Sequence, residues 1–108
     1  HIMAYENKGV SHLFNNLEYN DVRFFCQTAL KDLAYPEEAS LIELRKTLHV
    51  YLNSQCEIAR TAGTLFVHRN TVKYRIQRIE EVLGITVNTP ENSLNLRLAL
   101  ELSEEEQK

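Results

Sequence analysis

Several residue types that mark common functional sites are scarce in this chain of 108 residues. It contains three glycines, two prolines, two cysteines and no tryptophan. It offers no glycine-rich phosphate loop and no nucleophile paired with a base. No apolar run approaches the ~18 residues that a membrane span needs, and we expect no signal peptide. These absences argue against an enzyme and against a membrane protein.

The histidines and cysteines lack the spacing of a metal site. Cys26 and Cys56 form no CxxC pair, and the four histidines have no ligand spacing with them or with one another. We therefore expect no metal and no cofactor. Cys26 is expected to be a buried core thiol and Cys56 a thiol near a helix cap, both reduced in a cytoplasmic protein.

Acidic residues are missing from residues 58–79, although the whole chain has a net charge of −3. A concentration of positive charge within an acidic chain is typical of a surface that binds a polyanion. A solvated helix face without function is the alternative, but the lack of any Asp or Glu over these 22 residues favours nucleic acid. The five cations of the stretch are Arg60, Arg69, Lys73, Arg75 and Arg78.

Residues 58–83 also have the apolar spacing of two helices separated by a short turn. His68 or Asn70 would start the second helix, and Gly84 would end it. Two helices across so short a turn, the second one basic, predict a helix-turn-helix. The apolar positions are Ile58, Ala62 and Leu65 in the first helix, and Val72, Ile76, Ile79 and Leu83 in the second.

The second helix carries side chains suited to nucleic acid opposite its apolar stripe. Arginine, asparagine and glutamine pair with base edges, while lysine, threonine and tyrosine reach phosphates. A helix N-terminus directed at the duplex would add a favourable field at a phosphate. The residues concerned are Asn70, Lys73, Tyr74 and Gln77, with Arg69 in the first turn.

The segment TAGTLFVHRNTVKYRIQRIEEVLG, preceded by LRKTLHVYLNS, resembles the C-terminal DNA-binding domain of the PucR/CdaR family of bacterial transcription regulators. The family pattern HRNT..YR…RIE..LG is matched from His68 to Gly84, and weaker similarity extends over nearly the whole chain. The resemblance implies a Fis-like helix-turn-helix in an all-α, compact bundle of five to six helices. The recognition helix would cover about residues 69–83. The expected DNA-binding residues are His68, Arg69, Asn70, Thr71, Lys73, Tyr74, Arg75, Gln77, Arg78 and Arg60.

Three positions fit this pattern less well. Glu57 stands where relatives tend to have Asn, a better N-cap. Gly63 lies inside the first helix and should weaken it by ~1 kcal/mol relative to Ala. Phe66 occupies a turn position where the wider helix-turn-helix class often has Gly. We expect the Phe66 ring to pack beneath the motif, so that truncation to Ala would cost ~3–5 kcal/mol. The alternative is a strained and exposed Phe66, for which Phe66→Gly would be neutral or stabilising.

The segments before the motif predict three further helices. A short helix is expected over residues 10–17. The next would be capped by Asn20 or Asp21 and would end at Tyr35-Pro36, since a residue before proline avoids the α region. A capping box, Ser40 to Glu43, would open a third helix that braces the motif and ends near Asn53-Ser54. Its outer residues Arg45, Lys46 and His49 could touch a DNA backbone, but a solvated face is the favoured interpretation.

The segments after Gly84 predict a loop and a last helix. Thr89-Pro90 suits an N-cap followed by proline at the first helical position. The leucines of residues 94–102 alternate as in a strand, but the absence of β-branched residues and of a partner strand favours a helix. Glu104 to Glu106 are expected to form a disordered acidic tail.

We predict a single domain over residues 4–108, with the core of the helix-turn-helix motif at residues 58–83. His1-Ile2-Met3 is typical of a vector remnant and suggests a fragment of a longer protein. The predicted function is sequence-specific binding of double-stranded DNA by a transcription regulator. The full-length protein would be a homodimer whose effector binds an upstream domain.

The alternative function is a helical interaction or oligomerisation module whose basic face meets an acidic protein. RNA binding is a weaker third hypothesis. Specific RNA readers usually show aromatic stacking platforms, and here only Tyr74 is expected on the exposed face.

Overall fold

The computed structural model describes residues 16–106, which form five α-helices and one 3-10 turn with no strand among them. The predicted all-α class is confirmed. The elements are α1 (Tyr19–Leu30), the 3-10 turn (Lys31–Leu33), α2 (Ala39–Asn53), α3 (Ile58–Leu65), α4 (Arg69–Leu83) and α5 (Pro90–Glu106).

Helix α2 lies at the centre of the packing. It contacts α3, α4, α5 and the 3-10 turn, while α1 packs mainly on α5 and α3 packs on α4. Its inner face is buried, and α2 braces the two motif helices as predicted. The buried residues of this face are Leu44, Thr47, Leu48, Tyr51 and Leu52.

Helix α1 begins earlier and ends earlier than predicted. Its N-cap is Glu18, without a side-chain hydrogen bond, and the expected helix over 10–17 lies largely outside the described residues. The helix ends at Leu30 because Lys31 takes a positive φ of 50°. The following 3-10 turn carries Leu33 and Ala34 into the core, so the end at Tyr35-Pro36 was wrong.

The capping box predicted for α2 is also wrong. Glu38 is the N-cap, and its side chain accepts from the Ser40 hydroxyl at 3.5 Å but caps no backbone amide of the helix. The side chain of Glu43 instead accepts a hydrogen bond from Arg75 of α4, at 2.9 Å. A long-range ion pair therefore uses the carboxylate that the local motif would have needed.

The elements after α4 agree better with what the sequence predicts. Gly84 caps α4 in the left-handed conformation, with φ 73°, and Thr89 Oγ1 accepts from the Asn92 amide at 3.1 Å. The alternating leucines form a helix, as favoured. The expected disorder of residues 104–106 is wrong, because Leu102 and Ser103 are buried and hold the last turns of α5 against the domain.

Arg45 is not solvated, contrary to expectation. Its guanidinium donates to the carbonyl oxygens of Leu33 and Ala34, at 2.9 and 2.8 Å, and to Ser103 Oγ at 2.8 Å. Burial lowers the pKa of the Arg45 guanidinium, while nearby Glu104 acts in the opposite direction. One α2 side chain therefore fastens the 3-10 turn and the end of α5 to the centre of the fold.

We predict that Arg45→Ala lowers the free energy of unfolding by about 2–3 kcal/mol, because it leaves buried carbonyl acceptors without a charged donor. Urea unfolding followed by circular dichroism measures the change. The adjacent Lys46 is exposed, and Lys46→Ala is the matched control with an expected change within about 0.5 kcal/mol. Equal losses for the two variants would show that Arg45 contributes only as a surface residue.

Candidate nucleic-acid interface

The connection between α2 and α3 contains two residues in the left-handed backbone conformation. Gln55 and Cys56 have φ of 59° and 58°, and the Cys56 amide donates to the Tyr51 carbonyl at 2.8 Å. Burial raises the pKa of the Cys56 thiol and of the Tyr51 hydroxyl, which share a hydrogen bond. Cys56 thus lies next to the start of α3, as predicted, and neither cysteine forms a disulfide.

Helix α3 starts without help from a capping side chain. Glu57 is its N-cap and makes no side-chain hydrogen bond to the helix, as its departure from the family pattern suggested. Thr61 is buried and donates its hydroxyl to the Glu57 carbonyl at 2.8 Å. Packing on α2 and α4 therefore has to hold this eight-residue helix, since so short a helix is marginal alone.

The turn between α3 and α4 contradicts the expectation for Phe66. The residue takes the left-handed conformation, φ 60° and ψ 44°, and its side chain is 93% exposed instead of packed beneath the motif. The Val67 amide then donates to the Ala62 carbonyl at 3.1 Å, which closes the end of α3. A left-handed residue other than glycine costs roughly 1–2 kcal/mol, and Phe66 gains no burial in return.

His68 begins α4 as its N-cap, one of the two predicted starts. Its Nδ1 accepts a hydrogen bond from the Asn70 amide at 2.9 Å, which satisfies one of the open donors of the first turn. An accepting Nδ1 places the ring proton on Nε2. The Nε2–H group is then a donor on an exposed side chain at the start of the helix.

Helix α4 separates an apolar face from a polar face as its spacing predicts. Val72, Ile76, Ile79 and Leu83 are all buried. Thr71 is half-buried, and Tyr74 is 63% exposed. The remaining exposed candidates on α4 are Arg69, Asn70, Lys73, Gln77 and Arg78, and Arg60 is exposed on the neighbouring α3.

Arg75 differs from the other candidate residues. Its guanidinium lies 2.9 Å from Glu43 Oε2 and 3.2 Å from Thr47 Oγ1, both on α2, and its side chain is only 21% exposed. The buried Thr47 hydroxyl in turn donates to the Glu43 carbonyl at 2.9 Å. Arg75 therefore links the second helix of the motif to α2, a role that the sequence reasoning did not assign to Arg75, Glu43 or Thr47.

Two glutamates of α4 also accept hydrogen bonds through their carboxylates. Arg78 pairs with Glu81 at 3.4 Å, an exposed contact worth little. Glu80 Oε2 accepts from the amide of buried Val87 at 2.9 Å, and this bond holds the loop after Gly84 against the helix. The sequence pattern gave no signal for the Glu80 contact, since it depends on how the loop returns.

Two other kinds of site find no support in the described part of the chain. Within residues 16–106, no three His, Cys, Asp or Glu side chains come together as metal ligands. The helices formed there are also too short or too polar to cross a membrane.

The arrangement of α3, the three-residue turn and α4, braced by α2, defines the chain as a helix-turn-helix domain. Residues 44–102 match the family model of the PucR C-terminal helix-turn-helix domain, and the chain belongs to that family. The family is a DNA-binding domain of transcription regulators and is not enzymatic.

Several bacterial regulators are similar to the chain. The purine catabolism regulatory protein of Bacillus subtilis is 42% identical over 94% of the chain and 19% of its own length. The proline-responsive transcriptional activator PutR of the same organism is 34% identical over 91% of the chain and 24% of its own length. The carbohydrate diacid regulator of Escherichia coli is 39% identical over 57% of the chain and 16% of its own length. The chain thus spans about a quarter or less of these relatives, and no solved structure matches it.

We predict that His68→Ala destabilises the domain by about 1 kcal/mol, because it removes the side-chain acceptor at the start of α4. His68→Asn should retain most of the stability, since asparagine is a good N-cap. Thermal and urea unfolding of both variants measure the difference. If asparagine destabilises as much as alanine, the capping bond does not stabilise α4.

Proposed function

We propose that the chain binds double-stranded DNA in a sequence-specific manner, with α4 as the recognition helix in the major groove. The observation that carries the proposal is the exposed, cationic N-terminal half of α4, which contains no acidic residue and begins at a capped first turn. The field at such a helix start favours a phosphate, and the side chains next to it are those that pair with bases.

The exposed residues divide into two groups by their chemistry. Arg69 and Asn70 in the first turn of α4 suit base edges, because arginine pairs with guanine and asparagine with adenine. Lys73, Tyr74 and His68 offer donors for phosphates, while Arg60 adds a cation from α3. The other expected contacts are Thr71, Gln77 and Arg78.

Arg75 supports this surface in our proposal instead of touching DNA. Its guanidinium is engaged with Glu43 and Thr47, and a phosphate would have to compete with a carboxylate 2.9 Å away. The ion pair fixes α4 relative to α2, which sets the angle at which the recognition helix projects. This assignment replaces the direct DNA contact expected for Arg75 from sequence.

The competing function is binding of an acidic protein by the same basic face. Retention on heparin and a gel shift with an unspecific duplex, each at low and high salt, test the two possibilities. A DNA-binding domain should shift the duplex, and poly-glutamate of equal charge should compete poorly. Absence of any duplex shift at low salt, together with binding to poly-glutamate, would favour the protein partner.

We further propose that the chain is the DNA-binding part of a longer bacterial regulator that acts in the cytoplasm. The two Bacillus subtilis relatives are about four to five times its length, which supports an effector bound by a domain that precedes the chain. Their names refer to purine catabolism, proline and carbohydrate diacids, which suggests a small catabolic metabolite as the effector class.

If Arg69 and Asn70 read bases, Arg69→Ala and Asn70→Ala should each weaken specific binding by ~1–3 kcal/mol and relax sequence preference. Lys73→Ala should instead weaken binding to all sequences and flatten the dependence on salt, because it removes a phosphate contact. Titration of a selected and a random duplex by fluorescence anisotropy separates the effects. Equal losses on both duplexes for Arg69 and Asn70 would contradict the assignment of base reading.

A single recognition helix contacts too few base pairs to select one address among the ~10⁶ or more competing sites of a genome. Bacterial helix-turn-helix proteins meet this demand with dimers on half-sites about one helical turn apart. We therefore expect weak, steeply salt-dependent binding by this chain and much tighter binding by a full-length homodimer. The measurement is titration of palindromic and half-site duplexes with both proteins. Nanomolar binding of the half-site by the chain alone at physiological salt would overturn the argument.

A further inference from the structure

The turn of the motif presents an aromatic ring to solvent from a backbone conformation that favours glycine. Phe66 is the most exposed of the large apolar residues within residues 16–106, and its φ is 60°. Glycine would remove both the strain and the exposed apolar surface. Two local penalties at one residue point to a contact outside the domain, because strained residues concentrate at functional sites.

The position of Phe66 indicates what this contact is. It precedes the N-cap His68 by two residues and Arg69 by three, so its Cα lies within about 11 Å of the start of α4. Residues 58–79 contain no acidic side chain, so the ring sits in a cationic part of the chain. A ligand that contacts both the exposed ring and the surrounding cations needs apolar atoms and negative charge close together. Duplex DNA has both, in its phosphates and its thymine methyl groups.

We propose that Phe66 is a specificity residue whose ring packs against a thymine methyl group in the major groove. The inference rests on the proposed DNA-binding function and adds an apolar contact to the polar ones of Arg69 and Asn70. Phenylalanine is one of the side chains that recognise thymine through this methyl group. The strain at Phe66 is then offset in the complex and not in the domain alone.

The test compares the 108-residue protein with its Phe66→Gly variant. The probe is a duplex selected by the wild-type protein from a random library, prepared once with thymine and once with deoxyuridine, which lacks the methyl group. For wild type, the change to deoxyuridine should weaken binding several-fold. Phe66→Gly should bind the thymine duplex about tenfold more weakly and should not distinguish the two duplexes.

Two further readouts separate a DNA contact from a structural role. The melting temperature of Phe66→Gly should rise by about 2–5 °C, because glycine relieves the left-handed strain. The dependence of affinity on salt should stay unchanged, since a phenyl ring releases no counterions. Phe24→Ala is the matched control: it removes a ring that is 71% exposed on α1, and it should leave affinity and thymine preference unchanged.

Each contrary result has a defined meaning. If the wild type binds DNA but Phe66→Gly binds it equally well, or loses as much on deoxyuridine as wild type does, the inference is wrong and the proposed function stands. A lower melting temperature for Phe66→Gly would also overturn it, since the ring would then stabilise the domain itself. If the wild-type protein binds no duplex, both the inference and the proposed function are wrong.

Discussion

The contacts of α2 with the helix-turn-helix are the interaction on which the rest of the structure depends. Helix α3 has eight residues and no side-chain cap, so it cannot be stable without packing. Helix α2 provides that packing and connects in both directions: Glu43 and Thr47 bind Arg75 of α4, while Arg45 binds the 3-10 turn and α5. The position of the candidate recognition surface is therefore set by a helix outside the motif.

Ion pairs of Arg75 and Arg78 reduce the positive charge that composition alone predicts for residues 58–79. Five cations occupy residues 58–79, but two of them have carboxylate partners in the structure. Within residues 16–106, Arg60, Arg69 and Lys73 are the cations of this stretch without a carboxylate at salt-bridge distance. The positive charge available to a ligand at this surface is therefore smaller than composition alone suggests.

Sequence periodicity predicted the helices because burial follows a 3.6-residue period that neighbouring residues reveal. The stripe from Val72 to Leu83 and the caps at Gly84 and Thr89 agree with the structure for this reason. Two of the errors involve long side chains whose partners lie far away in sequence, Arg45 with Ser103 and Glu43 with Arg75. Glu43 shows the limit most clearly: a local capping pattern and a distant arginine compete for one carboxylate, and the ion pair forms. Most of the fold was accessible from sequence, whereas the ion pair of Arg75 with Glu43 was not.

At two positions of the helix-turn-helix motif, the residue type does not suit the backbone conformation. The motif has a glycine in a helix, Gly63, where open space surrounds the position of a Cβ atom, and a phenylalanine in the left-handed turn, where glycine would be unstrained. Alanine at position 63 and glycine at position 66 would each be more favourable locally, so stability alone does not explain this sequence. A domain whose core is secured by α2 can tolerate such losses at its surface. The structure therefore separates a helix that stabilises the domain, α2, from a motif that carries residues unfavourable to local stability.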